Sequence, residues 1–191
     1  MNRMHNIVCS SGWWSRRAEH ELVPFAVDGV DLGDEVLEIG PGFGATTRVL
    51  AERLPRLSVV ELDPGYCERL RAEMATRPPG TVTVTQGDAT ALPYPDGRFS
   101  AVLCFTMLHH IPTVAQQDQA FAEIARVLRA GGVFAGTDSI GVGWLFKVIH
   151  IGDTLNLVDP DGLPARLERA GLGVSEVKRG SRSFRWRATK P

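Results

Sequence analysis

Three glycines alternate in Gly40-Pro41-Gly42-Phe43-Gly44, and carboxylates stand around them in the chain at Glu38, Glu61, Asp63 and Asp88. Glycine lets backbone approach a ligand closely and permits the tight turn between a strand and a helix. Taken alone the loop is ambiguous. Gly40, Gly42 and Ala45 also satisfy the dinucleotide fingerprint G-x-G-x-x-G/A, and a purely structural turn would use the same residues. Charge separates the readings. A dinucleotide lays its pyrophosphate over such a loop and calls for donors and positive potential. Here Glu38 stands at the entrance, and Pro41 has no N–H to offer. An acidic rim suits a ligand with a sulfonium and an ammonium better than one with two phosphates. A second feature is the adjacent pair His109-His110, since histidine gives and takes protons near neutral pH. The same pair could equally cap a turn or pack in a wall.

The elements that must position these residues are legible as alternating short apolar runs and longer amphipathic segments. Strands are expected at 36–39, 57–62, 82–85, 99–105 and 133–137, and helices at 46–54, 66–75 and 114–128, the last ended by Gly131-Gly132. A long connection over 138–159 precedes a helix at 163–170. Strands at 174–178 and 184–188 follow, joined by the turn-rich Gly180-Ser181 and so expected to pair as a hairpin. The first thirty residues read as a helical cap, with Trp13, Trp14, Leu22, Val23 and Phe25 as apolar anchors. The fold class is α/β: a doubly wound, Rossmann-like, seven-stranded sheet, mostly parallel, with one antiparallel strand near the C-terminus. Residues 1–191 form a single domain, with 139–160 as a lid insertion. In such a sheet ligands bind at the carboxyl ends of the strands, which points to the loops after Ile39, Leu62, Thr85 and Phe105.

Composition narrows the classes. The chain has 191 residues, 43% apolar and 23% charged, with a formal net charge of -1. That is ordinary for a globular domain and gives no global pull toward nucleic acid or anionic lipid. The arginine-rich tail from Lys178 to Lys190 reads as a solvated strand face. Cys9, Cys67 and Cys104 are odd in number and far apart, which argues against a disulfide framework and a zinc site and suits a reducing cytosol. No metal is expected. No stretch is apolar enough for a membrane span, and a cytoplasmic location is expected. The oligomeric state is left open.

Over nearly its whole length the chain resembles the class I S-adenosylmethionine-dependent methyltransferases. The likeness lies in Val36-Leu37-Glu38-Ile39-Gly40-Pro41-Gly42-Phe43-Gly44, Val60-Glu61-Leu62-Asp63-Pro64, Gln86-Gly87-Asp88-Ala89 with Leu92-Pro93-Tyr94, Phe99 to Ile111, Arg126 to Gly132, and the ending Ala188-Thr189-Lys190-Pro191, in that order. The resemblance implies S-adenosyl-L-methionine as donor and S-adenosyl-L-homocysteine as product. It implies that Glu38 orients the methionine amino group and that Gly40, Gly42 and Gly44 offer backbone to the methionine part. Glu61 would accept from the ribose hydroxyls, Leu62 would pack on the adenine, Asp88 would accept from its amino group, and the Ala89 N–H would meet the ring. Phe105 would line the same cofactor site. Asp63 is expected to cap the helix at Pro64.

The segment Cys104 to Ile111 would flank the transferred methyl, with His110 and His109 as candidate catalytic residues. Family members acting on nucleic-acid nitrogens usually carry Asn/Asp-Pro-Pro-Tyr/Phe here, and this chain reads Cys104-Phe105-Thr106-Met107. The expectation is a small-molecule or lipid-like acceptor and no nucleic-acid partner. Trp13, Trp14, Trp144 and Phe146, with His5 and His150, are candidates for the acceptor pocket. Alternative readings are a donor-binding protein without turnover and an NAD-dependent oxidoreductase.

Overall fold

The computed structural model describes residues 7–78, 80–141 and 152–191. Seven strands form one sheet: β1 (Val36–Ile39), β2 (Leu57–Glu61), β3 (Val82–Gln86), β4 (Phe99–Phe105), β5 (Leu128–Ser139), β6 (Gly173–Arg179) and β7 (Ser183–Thr189), in the order β3-β2-β1-β4-β5-β7-β6. All neighbours from β3 to β5 pair in parallel. Strand β7 alone runs against its neighbours, inserted between β5 and β6 as the second arm of the expected hairpin.

The helices are α1 (Gly12–Arg17), α2 (Val23–Val27), α3 (Ala45–Arg53), α4 (Pro64–Met74), α5 (Val114–Val127) and α6 (Leu163–Arg169), with a π-helical turn at Ala18–Leu22 and a 3₁₀ turn at Leu108–His110. Strand alternation sends side chains to both faces. In β4, Val102 and Cys104 join Phe121, Ile124 and Leu167 on one side, while Ala101, Leu103 and Phe105 join Leu22, Leu50 and Leu70 on the other. Both faces are therefore roofed by helices, and the carboxyl edge of the central strands is left for chemistry.

Three expectations need correction. The N-terminal helices do more than cap the sheet: Leu22, Val23 and Ala26 are buried in the core beside Ala101 and Ala135. Helix α5 stops at Val127, short of the glycine pair, because Leu128 already pairs with Phe99; residues between there and Val133 bulge, and Lys190 closes the bulge through Gly131 and Gly132. The arginine-rich tail is not simply a solvated face. Arg185 Nη1 donates to Phe25 O (2.7 Å), and Arg187 donates to Ala26 O (3.1 Å) and Asp28 O (2.9 Å). The last carbonyls of a helix lack helical partners and carry partial negative charge, so cations satisfy them well.

Candidate active site

The glycine loop joins β1 to α3 and is hooked to β2. Gly40 N donates to Val60 O (2.8 Å), and Gly42 N donates to Glu61 Oε2 (2.9 Å). Each loop glycine has positive φ, but the reasons differ. A Cβ on Gly40 would collide with Met107, and one on Gly44 with Leu70. At Gly42, with φ +55°, a Cβ would meet nothing within 4 Å, so this glycine faces open space.

Glu38 ends up fully buried, with Thr46 and Thr47 at the start of α3 donating their hydroxyls to its two carboxylate oxygens. Burial pushes its carboxyl up to about 7, against the pull of the two threonines and with a further push from Glu61. Composition and spacing did not single out the two threonines. Glu61, also buried, accepts from Gly42 N through Oε2 and from Asp63 N through Oε1 (3.0 Å). Asp63 caps α4 through Gly65 N and Tyr66 N, as expected. Cys67 is buried, and its thiol donates to Glu61 O (3.3 Å).

Strand β2 stops at Glu61, one residue earlier than expected, and leaves Leu62 outside it. Leu62 is 63% exposed, a large apolar side chain next to the buried carboxylate. Beyond β3, Asp88 Oδ1 accepts from Thr90 N and Thr90 Oγ1, both at 2.8 Å, in a tight turn that also holds Ala89. Glu38, Gly42, Glu61, Leu62, Asp88 and Ala89 thus stand at or just past the carboxyl ends of β1, β2 and β3.

The end of β4 carries the histidines. Phe105 is buried in the core beneath them, and Thr106 follows with φ +50°, its N–H donating to Thr137 O (2.7 Å). This reversal turns Met107 toward the glycine loop and starts the 3₁₀ turn. His109 is buried and pairs through Nδ1 with Asp138, which is fully buried on β5; Asp138 also accepts from His109 N (3.0 Å) and Ser139 N (2.7 Å). The His110 ring is half-buried and lies 4.2 Å from the His109 ring. Asp138 escaped the sequence reading. It lies 29 residues from His109, and only the side-by-side pairing of β4 and β5 joins them.

Residues 37–136 match the family model described as a methyltransferase domain. This chain belongs to that methyltransferase family. Ribosomal RNA small subunit methyltransferase A of Laribacter hongkongensis is 48% identical over 62 residues, 32% of this chain but only 22% of that protein. The ubiquinone biosynthesis O-methyltransferase of Pseudomonas aeruginosa is 28% identical over 190 residues, covering 86% of this chain and 79% of that one. A crystal structure of a Pyrococcus horikoshii OT3 protein superimposes with a TM-score of 0.79 at 16% identity over 100% of both chains; that likeness concerns the fold.

The methyltransferase takes S-adenosylmethionine as its donor. The residues present fit that group: an open backbone face at Gly42, an exposed apolar platform at Leu62, and buried carboxyl groups at Glu38 and Glu61 suited to its ammonium and its ribose hydroxyls. The family match also removes the oxidoreductase alternative. Of the acceptor-pocket candidates, Trp13 is 53% exposed and Trp14 packs on the core, with the Arg17 guanidinium 5.8 and 5.3 Å from their ring centroids. Trp144, Phe146, His5 and His150 lie outside the described residues. Among the described residues no helix is long and apolar enough to cross a membrane.

Proposed function

We propose that the enzyme methylates an oxygen or nitrogen of a small, lipid-like acceptor, using the His109-His110 pair to take up the acceptor's proton. The observation that carries this is the buried Asp138–His109 pair with the half-buried His110 ring tilted against it, in the turn that follows Met107, whose side chain lies against Gly40. When bound, S-adenosylmethionine supplies a methyl group on a positively charged sulfur. Glu61 and Leu62 hold the ribose and adenine, and Glu38 fixes the start of α3 through Thr46 and Thr47 while facing the donor's amino group directly or through water. His110, the more exposed of the pair, holds the acceptor hydroxyl or amine and accepts its proton. Asp138 locks the His109 ring, and its negative charge behind the adjacent rings favours the positive charge that forms.

The small-acceptor reading draws on the likeness to a ubiquinone biosynthesis O-methyltransferase along most of the chain and on Cys104-Phe105-Thr106-Met107 at the end of β4. The runner-up acceptor is RNA, supported by the 62-residue likeness to the ribosomal RNA enzyme. Labelled methyl transfer discriminates. Purified protein with labelled donor is offered a panel of phenols, quinols and amines, and separately bacterial ribosomal RNA. Label in a small acceptor and none in RNA is the expected result; label in RNA alone overturns the proposal.

A further inference from the structure

Three side chains of α5 perform a task that neither the glycine loop nor the histidine pair accounts for. Gln119, Glu123 and Arg126 stand at i, i+4 and i+7 and share one stripe of the helix. All three reach the main chain of the turn after β3. Gln119 Nε2 donates to Thr90 O (3.0 Å), Glu123 Oε2 accepts from Leu92 N (2.8 Å), and Arg126 donates to Leu92 O (3.0 Å) and Tyr94 O (2.8 Å). Glu123 braces the guanidinium through Nε and Nη2, each at 2.7 Å, and Asp96 takes a further bond from Nη1 at 2.7 Å. The gripped segment begins at the residue that orients Asp88: Thr90 donates its N–H and hydroxyl to Asp88 Oδ1, and Ala91 N donates to Asp88 O (3.0 Å). From the other side, Leu92 and Tyr94 are anchored in the core.

We infer that Gln119, Glu123 and Arg126 are positioning residues for the adenine end of the donor site, setting where Asp88 and Ala89 stand and hence how the enzyme tells a 6-amino from a 6-oxo purine. This rests on the reading that Asp88 accepts from the adenine amino group. A carboxylate accepts from an amino group and opposes an oxo oxygen, and hydrogen bonding weakens steeply when distance or angle drifts. The grip on the main chain therefore controls the discrimination, although none of the three side chains is assigned a contact with the ligand.

The test compares calorimetric affinities of S-adenosylhomocysteine and S-inosylhomocysteine for the wild type, Asp88→Ala, Arg126→Lys and Glu123→Gln, with thermal melts to identify folded variants. The wild type is expected to prefer the adenine compound by at least about tenfold. Arg126→Lys keeps the charge and loses the planar fork. It should weaken the adenine compound by about tenfold and shrink the preference toward that of Asp88→Ala. Glu123→Gln should shift both in the same direction by less, and it carries the test if Arg126→Lys does not fold. A preference lost in Asp88→Ala but intact in folded Arg126→Lys or Glu123→Gln overturns the inference alone. A wild type without preference, or an Asp88→Ala variant that keeps it, overturns the Asp88 reading and the inference together.

Discussion

Replacing Glu38 by glutamine should make the protein more stable at alkaline pH. In the fold, burial first, opposed by Thr46 and Thr47 and aided by Glu61, raises the Glu38 carboxyl from 4.5 to about 7. Below 4.5 the group is protonated in both the folded and unfolded chain and contributes no pH dependence. Between 4.5 and about 7 the folded chain holds a proton that the unfolded chain has released, so stability falls as pH rises through that window. Above it the full cost of the buried charge is present, about 3 kcal/mol at 1.36 kcal/mol per pH unit. Glutamine cannot ionise, and its amide can still accept from one threonine and donate to the other. Urea denaturation of both proteins at pH 4.5, 6 and 8 gives the difference directly, because the other titrating groups largely cancel. The variant should match the wild type at the acid end and exceed it by up to about 3 kcal/mol at pH 8. A difference that does not change with pH, or a wild type that gains on the variant as pH rises, would show that burial does not raise the Glu38 carboxyl. The variant should also gain less stability from added S-adenosylmethionine, because the buried negative charge helps to hold the donor's cationic groups.

Other expected outcomes follow from the same geometry. Once an acceptor is in hand, His110→Ala should lower kcat by about a hundredfold or more, and Asp138→Asn should lower it while displacing the pH–rate profile; unchanged profiles in both would remove the histidine pair from the chemistry. Gly42→Ala puts a methyl group into open space at positive φ, so it should cost about 1–2 kcal/mol of stability and weaken donor binding, measured by melts and calorimetry. Arg187→Ala releases two carbonyls at the end of α2 and should cost about 1–3 kcal/mol in urea, with proteolysis appearing first near the N-terminus.

Much of the fold was legible because its signals are local. Strand β4 is bounded as expected, since Phe99 to Phe105 is apolar at every position but Ser100 and follows the turn-forming Asp96-Gly97-Arg98, and the alternation of strands and helices leaves few topologies. The glycine loop and its carboxylates were legible because a close backbone approach and a cationic ligand each demand particular residue types. What could not be read depends on contacts between distant segments. Asp138 is one of 22 acidic residues and becomes the partner of His109 only when Phe105 and Thr137 come into register. Thr46 and Thr47 look like any helix start until Glu38 is buried beneath them. Arg185 and Arg187 look solvated until β7 is laid beside α2, some 160 residues away in sequence. The N-terminal helices looked peripheral because they precede the strand–helix alternation, yet Leu22, Val23 and Ala26 join the core cluster that holds Ala101 and Ala135.

The acidic carboxyl edge around the glycine loop is proposed as the S-adenosylmethionine site. Calorimetry of S-adenosylmethionine, S-adenosylhomocysteine and NAD against the wild type and Glu61→Ala tests it most directly. Both S-adenosyl compounds should bind the wild type, NAD should give no heat of binding, and folded Glu61→Ala should lose at least about tenfold in affinity. No binding of either S-adenosyl compound, or equal binding by Glu61→Ala, would contradict it.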